Sequence, residues 1–256
     1  MSLFAIADLH LSLGEDKPMD IFAGWDNYVE RLTKNWNTLV TEDDTVMIAG
    51  DISWAMKLEQ TYTDFKYIDD LPGKKIFLKG NHDYWWGTKS KIEKFLDNNK
   101  LNSINILFNN TYVCDNKAIC GTRGWFLENE SDADVKVLNR EVGRLKMSIS
   151  EAEKTGLEPV VFLHYPPVYC NTECSEIMNV LLKHNIKRCY YGHIHGKSNM
   201  RYAVEGDYKG INFKLISCDR LAFYADFGTI ISINLLLSIG KTEFLCYNEL
   251  ILIIFV

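Results

Sequence analysis

Apolar residues in the first third of the chain alternate between short unbroken runs and the spacing of a helix face. The unbroken runs predict three buried β-strands, at 3–7 (LFAIA), 45–49 (TVMIA) and 75–79 (KIFLK). Between these runs, apolar residues recur every three or four positions over 25–40 and again over 58–71, which predicts two amphipathic helices. Pro72 and Gly73 would end the second helix. This β-α-β-α-β order is typical of a mostly parallel sheet covered by helices.

The rest of the chain continues the alternation and adds antiparallel pairs. Its periodicity predicts three more helices, at about 88–98, 131–155 and 175–184. Unbroken apolar runs predict two more strands, at 159–163 and 187–191. Turn residues predict a hairpin over 111–121 that turns at Asp115 and Asn116, and an antiparallel region after residue 200 that turns between Gly206 and Gly210. We therefore expect a single α/β domain over 1–256, with two mixed β-sheets flanked by helices.

The composition is that of an ordinary globular protein with a mild acidic excess. Of the 256 residues, 47% are hydrophobic and 24% are charged, and the formal net charge is −6. A pI of about 5.6 argues against a nucleic-acid groove built on bulk positive charge, so we expect no nucleic-acid partner. An anionic small molecule stays compatible with this charge, because bound metal ions can supply positive charge locally.

Cysteine usage and the first residues indicate a cytoplasmic protein. The seven cysteines are odd in number and several lie in apolar runs, which favours buried free thiols in a reducing cytosol. Cys170 and Cys174 have no second Cys or His pair nearby, which argues against a structural zinc site. The opening MSLFAIADLH has no basic region and no apolar core of signal-peptide length.

The last part of the chain has an unusual composition. From about Phe227, and over 228–256 in particular, it is strongly apolar and ends in LILIIFV. Polar and charged residues interrupt it, so no uninterrupted stretch is long enough to span a bilayer, and we expect no membrane partner. Two interpretations stay open for this segment, a pair of closing β-strands or an exposed strand used for interaction.

Polar residues with metal-binding chemistry follow five of the predicted strands. The five sequences are Asp8-Leu9-His10, Gly50-Asp51, Gly80-Asn81-His82-Asp83, His164, and Gly192-His193-Ile194-His195. Five of the six histidines thus follow a strand, and His184, in a predicted helix, is the exception. A single Asp or His in such a place is usually a turn or structural residue. Five such places are different, because they would meet at the carboxyl ends of the strands, where open α/β sheets bind ligands.

The donor types favour a pair of metal ions. Asp, Asn and His side chains occur together without a convergent set of Cys, which suits Mn, Fe, Zn or Ni rather than Ca or a thiolate site. The donors are too numerous for one tetrahedral ion. Two divalent ions that share one carboxylate, with Mn, Fe or Zn as the expected metals, are the natural interpretation.

Taken together, the five motifs resemble the calcineurin-like metallophosphoesterase family. All of them are present in order, over about residues 1–220, and their combination is specific although each alone is weak. The resemblance implies an α/β fold built as a four-layer α/β/β/α sandwich, with a dinuclear metal centre. Residues 228–256 do not match the pattern of the family.

The resemblance also implies a role for each matched position. It places three ligands on each metal, namely Asp8, His10 and His195 on the first, and Asn81, His164 and His193 on the second. Asp51 would bridge the two metals. His82 would lie near the leaving group and assist catalysis, and Asp83 would orient or charge His82.

Such a centre would hydrolyse a phosphate ester. Two divalent ions bring four positive charges, and the proposed ligands include two carboxylates, so an excess of about +2 would attract a phosphate. The metals can lower the pKa of a bridging water, and the resulting hydroxide would attack phosphorus while the ions clamp the phosphoryl oxygens. A protonated His82 can then give its proton to the departing alkoxide.

Aromatic residues and one arginine near the metal motifs are candidate substrate contacts. Trp54 and Trp85 directly follow metal motifs and could wall a pocket for an aromatic or nucleoside leaving group. Core packing is an equal alternative for each of them. Arg123 is a candidate second phosphate contact, with a surface ion pair as the alternative. Asn81 is a candidate for both metal and substrate binding.

The favoured interpretation is a metal-dependent phosphohydrolase that acts on a small phosphorylated substrate, either a phosphomonoester or a phosphodiester. A non-catalytic scaffold with the same fold should have lost a ligand or His82, and none is missing. An adaptor that uses the apolar tail could coexist with catalysis. The sequence leaves the substrate, the metal and the oligomeric state open.

Overall fold

The computed structural model describes residues 1–126 and 131–222, together with the backbone of one short strand at 254–255. Its strands in these ranges are β1 (Leu3–Ile6), β2 (Thr45–Ala49), β3 (Lys74–Leu78), β4 (Ile104–Ile106), β5 (Tyr112–Cys114), β6 (Lys117–Thr122), β7 (Glu158–Leu163), β8 (Val168–Tyr169), β9 (Thr172–Glu173), β10 (Arg188–Tyr191), β11 (Gly206–Tyr208), β12 (Ile211–Leu215) and β13 (Ile254–Phe255). Its helices are α1 (Tyr28–Leu39), α2 (Tyr62–Asp70), α3 (Lys89–Asn98), α4 (Asp132–Glu153), α5 (Ser175–Lys183), α6 (Lys197–Met200) and α7 (Cys218–Ala222). A 3₁₀ turn at Leu58–Thr61 precedes α2.

The five predicted helices are all present, and each lies within its predicted range. The β5–β6 hairpin confirms the predicted turn, because Asp115 and Asn116 both have the positive φ that a two-residue hairpin turn requires. The apolar pattern did not predict five short elements, which are β4, β8, β9, α6 and α7. Each is too short to show a periodicity of its own.

The strands form two large sheets whose parallel strands carry the functional loops. In the first sheet the order is β13-β1-β2-β3-β4, with β1 to β4 parallel and β13 antiparallel to β1. In the second sheet the order is β11-β12-β10-β7-β6-β5, with a parallel centre and an antiparallel strand at each edge. The sheets meet at their carboxyl ends, where Ala7 after β1 bridges Ser217 after β12.

Alternate residues of the central strands separate two layers of the hydrophobic core. Val160 and Phe162 of β7 belong to the core shared with the first sheet, whereas Val161 and Leu163 belong to the core beneath α4 and α5. The helices α1, α2 and α3 contribute their buried residues to the core of the first sheet. This arrangement confirms the expected α/β/β/α sandwich of two sheets flanked by helices.

Two further predictions concern the cysteines and the apolar tail of the chain. The six cysteines in the described part of the chain are free thiols, and five of them are buried, with Cys170 exposed. Among the described residues, no helix is both long and apolar enough to cross a membrane. The predicted tail over 228–256 lies outside the described residues, apart from the backbone of β13.

A buried lysine joins the end of α2 to the first sheet. The Lys75 side chain on β3 is fully buried, and its Nζ donates to the carbonyl oxygens of Leu71 and, at 3.3 Å, of Asp69. It also donates to Ser103 Oγ at 3.2 Å. Since the last carbonyls of a helix lack partners within the helix, this ammonium group satisfies orphan acceptors and complements the helix dipole.

The pKa of this lysine predicts a pH-dependent contribution to stability. Burial lowers the pKa of Lys75 from 10.5 to about 8, against the opposing effect of three carboxylates, Asp69, Glu42 and Asp70. Between these values the unfolded chain keeps a proton that the folded protein has released, so the free energy of unfolding rises with pH. We expect the destabilisation by Lys75→Met to grow by on the order of 2 kcal/mol between about pH 7.5 and about pH 10, measured by urea unfolding.

Lys74→Met is the matched control, because the neighbouring Lys74 is exposed. Its effect on the free energy of unfolding should stay the same across this pH range. A Lys75→Met cost that is constant or falls with pH would contradict the prediction.

Candidate metal centre

Five loops at the carboxyl ends of strands carry the predicted donors. The loops after β1, β2 and β3 come from the first sheet, and those after β7 and β10 come from the second. Four donor residues in them have left-handed backbone conformations, with φ of 63° at Asp8, 47° at His10, 51° at Asp51 and 73° at His193. Such conformations are uncommon outside glycine and concentrate at functional sites, because the surrounding structure must hold them.

Glycines let two of these loops pass close to one another. A Cβ atom on Gly50 would lie 2.7 Å from His164 Nδ1 and 2.7 Å from the Cα of Gly80, and Gly50 itself has a φ of +92°. A Cβ atom on Gly80 would overlap the carboxylate and the backbone nitrogen of Asp51. Only glycine therefore fits at these contacts, which place the loops after β2 and β3 against each other.

The first cluster of donors consists of Asp8, His10 and His195, whose ligand atoms lie within 4.8 Å of one another. His10 Nε2 and His195 Nε2 are 3.2 Å apart, and His195 Nε2 is 3.4 Å from Asp8 Oδ1. Asp8 and His10 are buried, and His195 is half-buried. The three residues are those that the resemblance assigned to the first metal.

The second cluster consists of Asp51, His164 and His193, joined by the amide of Asn81. Asn81 Oδ1 lies 2.6 Å from His164 Nε2 and 2.9 Å from His193 Nδ1. Asp51 Oδ2 is 3.4 Å from His164 Nε2 and 3.8 Å from His10 Nε2, so this carboxylate faces both clusters. The arrangement brings together the residues that the resemblance assigned to the second metal and to the bridge.

Hydrogen bonds on the far side of two imidazoles direct their Nε2 atoms into the clusters. His164 Nδ1 lies 3.1 Å from the carbonyl oxygen of Ala49, and His195 Nδ1 lies 3.1 Å from Asp219 Oδ1. Each of these Nδ1 atoms therefore carries a proton. When the ring is neutral, the lone pair of Nε2 is then the one that can bind a metal.

The donor atoms within each cluster face one another at short distances, as ligands around a bound cation do. His164 Nε2 lies 2.6 Å from the Asn81 carbonyl oxygen, and His195 Nε2 lies 3.2 Å from His10 Nε2. A proton or a metal ion between the two atoms of each pair makes such a contact attractive. Imidazole nitrogen with carboxylate and amide oxygen is a donor set that suits divalent Mn, Fe or Zn.

Burial and mutual repulsion perturb the carboxylates of the centre. Burial, and then the charge of Asp8, raise the pKa of Asp51 to about 8. Burial would also raise the pKa of Asp8, but His195 and then His164 hold that pKa well below its ordinary value. Because two buried carboxylates of like charge share this space, bound cations would relieve their repulsion.

The imidazoles are perturbed in opposite directions. Burial, and then the neighbouring His164, lower the pKa of His193 to about 3. Burial also opposes the charged form of His195, but Asp8 and Asp219 raise its pKa to about 10. His195 of the first cluster therefore favours its charged form and His193 of the second its neutral form, because the carboxylates of Asp8 and Asp219 lie beside His195.

His82 lies at the edge of the first cluster. Its ring centroid is 5.7 Å from that of His10 and 4.6 Å from that of Trp54. Its backbone N–H donates to Asp51 Oδ1 at 2.7 Å, and its Nδ1 is 3.3 Å from the hydroxyl oxygen of Tyr84. Burial, and then His164, lower the pKa of His82, whereas Asp8 opposes the shift.

Asp83 lies in a different place from the one expected for a partner of the His82 ring. Its buried carboxylate accepts backbone N–H groups from Gly80 at 2.7 Å, Ile52 at 2.9 Å and Asp51 at 3.0 Å. These contacts tie the loop after β3 to the loop after β2. The expectation that Asp83 orients or charges His82 is therefore corrected, because the carboxylate supports the metal loops and the Tyr84 hydroxyl is the group that faces His82 Nδ1.

The expectation that Trp85 could wall a substrate pocket is also corrected, because this residue belongs to the hydrophobic core. It is 3% exposed, packs its ring against Phe65 at 4.9 Å, and donates its indole N–H to Asp83 Oδ1 at 3.1 Å. Trp54, by contrast, is half-buried and stacks on His10 with a ring separation of 4.8 Å. Of the two tryptophans, only Trp54 lies in contact with the centre.

Arg123 lies beside the centre but is held in an ion pair. Its Nη2 is 3.5 Å from the buried Glu141 carboxylate, which also binds Arg144 at 2.6 Å, and its guanidinium packs over Trp125. Its backbone carbonyl accepts N–H groups from His164 and Tyr165. The ion-pair alternative is the one that the structure presents, and a phosphate contact stays a prediction.

Comparison with known proteins decides the family. The family model described as calcineurin-like phosphoesterase matches residues 1–197, which is well over half of the chain. The chain belongs to the calcineurin-like phosphoesterase family. The resemblance in the five motifs is thereby confirmed, and the metal dependence of this phosphoesterase family agrees with the two donor clusters.

The relatives compared here match this chain either over a short segment or at low sequence identity. The Gene 66 protein of Mycobacterium phage L5 is 39% identical over 80 residues, which is 30% of this chain and only 37% of that relative. Among solved structures, TT1561 of Thermus thermophilus is 10% identical with a TM-score of 0.52, over 76% of this chain and 82% of that one. The phosphopantetheinyl hydrolase of Mycobacterium tuberculosis is 15% identical with a TM-score of 0.46, over 84% and 88%. The likeness to TT1561 shows a shared fold.

Sequence reasoning did not single out Tyr84, Trp25 or Asp219, which contact residues of the centre. Asp219 follows β12, as the other donors follow their strands, at the start of α7. A search for carboxylates after every strand, and not only after those followed by histidine, would have found it.

Gly192 gives a test of how tightly the loops are packed. A Cβ atom there would lie 2.5 Å from Asp8 Oδ2 and 2.6 Å from the Cβ of Ala7, so one of them must move. We expect Gly192→Ala to weaken Mn²⁺ binding by about tenfold or more, and to lower the free energy of unfolding by about 1–3 kcal/mol. Metal titration and urea unfolding would measure the two effects.

Gly143→Ala is the matched control, because Gly143 lies in α4 and an added Cβ would meet nothing within 4 Å. This variant should leave metal binding unchanged and raise the free energy of unfolding by about 0.5–1 kcal/mol. If Gly192→Ala bound Mn²⁺ with wild-type affinity, metal binding would not depend on the close packing of Gly192 against Asp8.

Proposed function

We propose that this protein is a dinuclear, metal-dependent phosphoesterase that hydrolyses a small phosphomonoester or phosphodiester in the cytoplasm. One observation carries the proposal: donors from five loops of two sheets converge on two clusters, with Asp51 facing both. A scaffold without activity would have no need to keep every ligand together with His82. The free thiols of the described part of the chain support a reducing compartment.

The residues of the chain divide the work of binding the metals. Asp8, His10 and His195 would hold one ion, and His164, His193 and Asn81 the other, with Asp51 between them. When bound, two divalent ions supply Lewis acidity toward the phosphoryl oxygens and lower the pKa of a water. Mn, Fe and Zn suit this donor set. The fold supplies the close packing of the loops that fixes the ligands before substrate arrives.

His82 would serve the leaving group. Since its Nδ1 faces the Tyr84 hydroxyl, Nε2 is the atom that can carry a proton to the departing oxygen. In the overall reaction a water oxygen bonds to phosphorus, the bond from phosphorus to the ester oxygen breaks, and the alcohol leaves with the proton from His82. Trp54, packed against His82, would form one wall for the organic part of the substrate.

Hydrolysis of p-nitrophenyl phosphate beside bis-p-nitrophenyl phosphate tests the proposal. Metal-free protein should be inactive and should gain turnover of at least one ester with Mn²⁺. His82→Ala should lower kcat by about 10²- to 10⁴-fold, the usual contribution of a positioned acid. The ester that turns over faster identifies the substrate class.

His184→Ala is the matched control, because this histidine lies at the end of α5 and pairs with Glu153 at 2.8 Å. It should keep the wild-type rate. If the metal-loaded wild type turns over neither ester while it binds two ions per chain, the proposed reaction on simple esters is wrong.

The leaving group gives a second test, specific to the proton donor. Phenol is a weaker acid than p-nitrophenol, so the phenolate leaving group depends more on a proton donor as it departs. The loss of kcat in His82→Ala should therefore be larger for phenyl phosphate than for p-nitrophenyl phosphate, by about tenfold or more. Steady-state kinetics on the two esters measures the ratio, and equal losses would show that His82 acts by another route.

A further inference from the structure

The segment that follows β12 contacts the metal centre although it lies beyond the residues matched by the family model, which end at 197. The Cys218 backbone N–H donates to the carbonyl oxygen of Ala7 at 2.9 Å, and Cys218 Sγ lies 2.9 Å from the carbonyl oxygen of Asp8. The start of α7 is thus fixed against the loop after β1, which carries the first cluster.

Asp219 extends from this segment to the loop after β10. It is 4% exposed, and its two carboxylate oxygens have separate partners. Oδ1 lies 3.1 Å from His195 Nδ1, and Oδ2 accepts the backbone N–H of Gly196 at 3.0 Å. Together these contacts fix both the rotation of the His195 ring and the backbone that follows it.

We propose that Asp219 is a positioning residue of the metal centre, which holds His195 with Nε2 toward the first cluster and thereby sets the affinity of that cluster for a divalent cation. The inference rests on the proposed dinuclear function. A carboxylate that accepts the second ring proton of a ligating histidine fixes the tautomer and makes the ligand more basic. Asp219 provides this contact from outside the recognised motifs.

The two clusters differ in this respect, which makes the inference testable. In the second cluster the acceptor for His164 Nδ1 is the backbone carbonyl of Ala49, which no substitution removes. In the first cluster the acceptor is a side chain. Loss of the Asp219 carboxylate should therefore weaken one of the two metal sites and spare the other.

The experiment is a Mn²⁺ titration of metal-free Asp219→Ala, followed by calorimetry or by electron paramagnetic resonance of free Mn²⁺. We expect one site to bind about 10- to 100-fold more weakly than in the wild type, and the other to keep its affinity within about twofold. Asp207→Ala is the matched control, because Asp207 is an exposed carboxylate on β11. It should leave both sites unchanged.

Two background variants identify the site that Asp219 serves. His193→Ala removes a ligand of the second cluster, and in this background Asp219→Ala should weaken the remaining site. His10→Ala removes a ligand of the first cluster, and in this background Asp219→Ala should have no further effect on the remaining site. Such a cycle isolates the coupling between the paired positions.

Asp219→Asn guards against a simple packing defect, because it keeps the shape of the side chain and one acceptor oxygen. It should weaken the same site, by less than Asp219→Ala does. Wild-type affinity at both sites in Asp219→Ala would overturn the inference. Equal weakening of both sites in Asp219→Ala and Asp219→Asn would also overturn it, because it would indicate a general structural role. Failure of the proposed function is distinguishable, since it would appear as inactive wild-type protein with intact metal binding.

Discussion

The structure depends on donor atoms from five loops being held close together where the two sheets meet. His10 Nε2 and His195 Nε2 are 3.2 Å apart, and Asn81 Oδ1 lies 2.6 Å from His164 Nε2. The fold holds these atoms in position, and divalent cations are the partners that such a gathering of imidazoles and oxygens suits. The proposed reaction follows from the positive charge that these cations would bring.

Several unfavourable local features are the consequence of this gathering. Left-handed backbone at Asp8, His10 and Asp51 is strained, at about 1–3 kcal/mol for each such residue. The strain is offset by the packed strands on either side and by Asp83, whose carboxylate collects backbone N–H groups from two loops. Gly80 is required where those loops touch. The strands of both sheets thus act as a rigid frame, and the loops at their ends carry the chemistry.

The sequence was informative where topology alone decides the outcome, and less so where the direction of a side chain decides it. Parallel strands bring their carboxyl ends to one edge, so the convergence of the donor motifs could be predicted from apolar runs and the residues after them. Trp54 and Trp85 look alike in sequence, yet one stacks on His10 and the other is buried in the core. Asp83 was assigned to its neighbour in sequence, His82, but the turn directs it to backbone groups. Asp219 was missed because no histidine follows β12, although its partner His195 lies in one of the predicted motifs.

The most direct test of the central claim is anomalous diffraction from crystals of the protein loaded with Mn²⁺. The account predicts two anomalous peaks, one among Asp8, His10 and His195 and one among Asn81, His164 and His193, with Asp51 in contact with both. A separation of about 3.5–4 Å would match two ions that act together on one phosphoryl group. A single peak, or two peaks without a shared Asp51, would contradict the dinuclear centre.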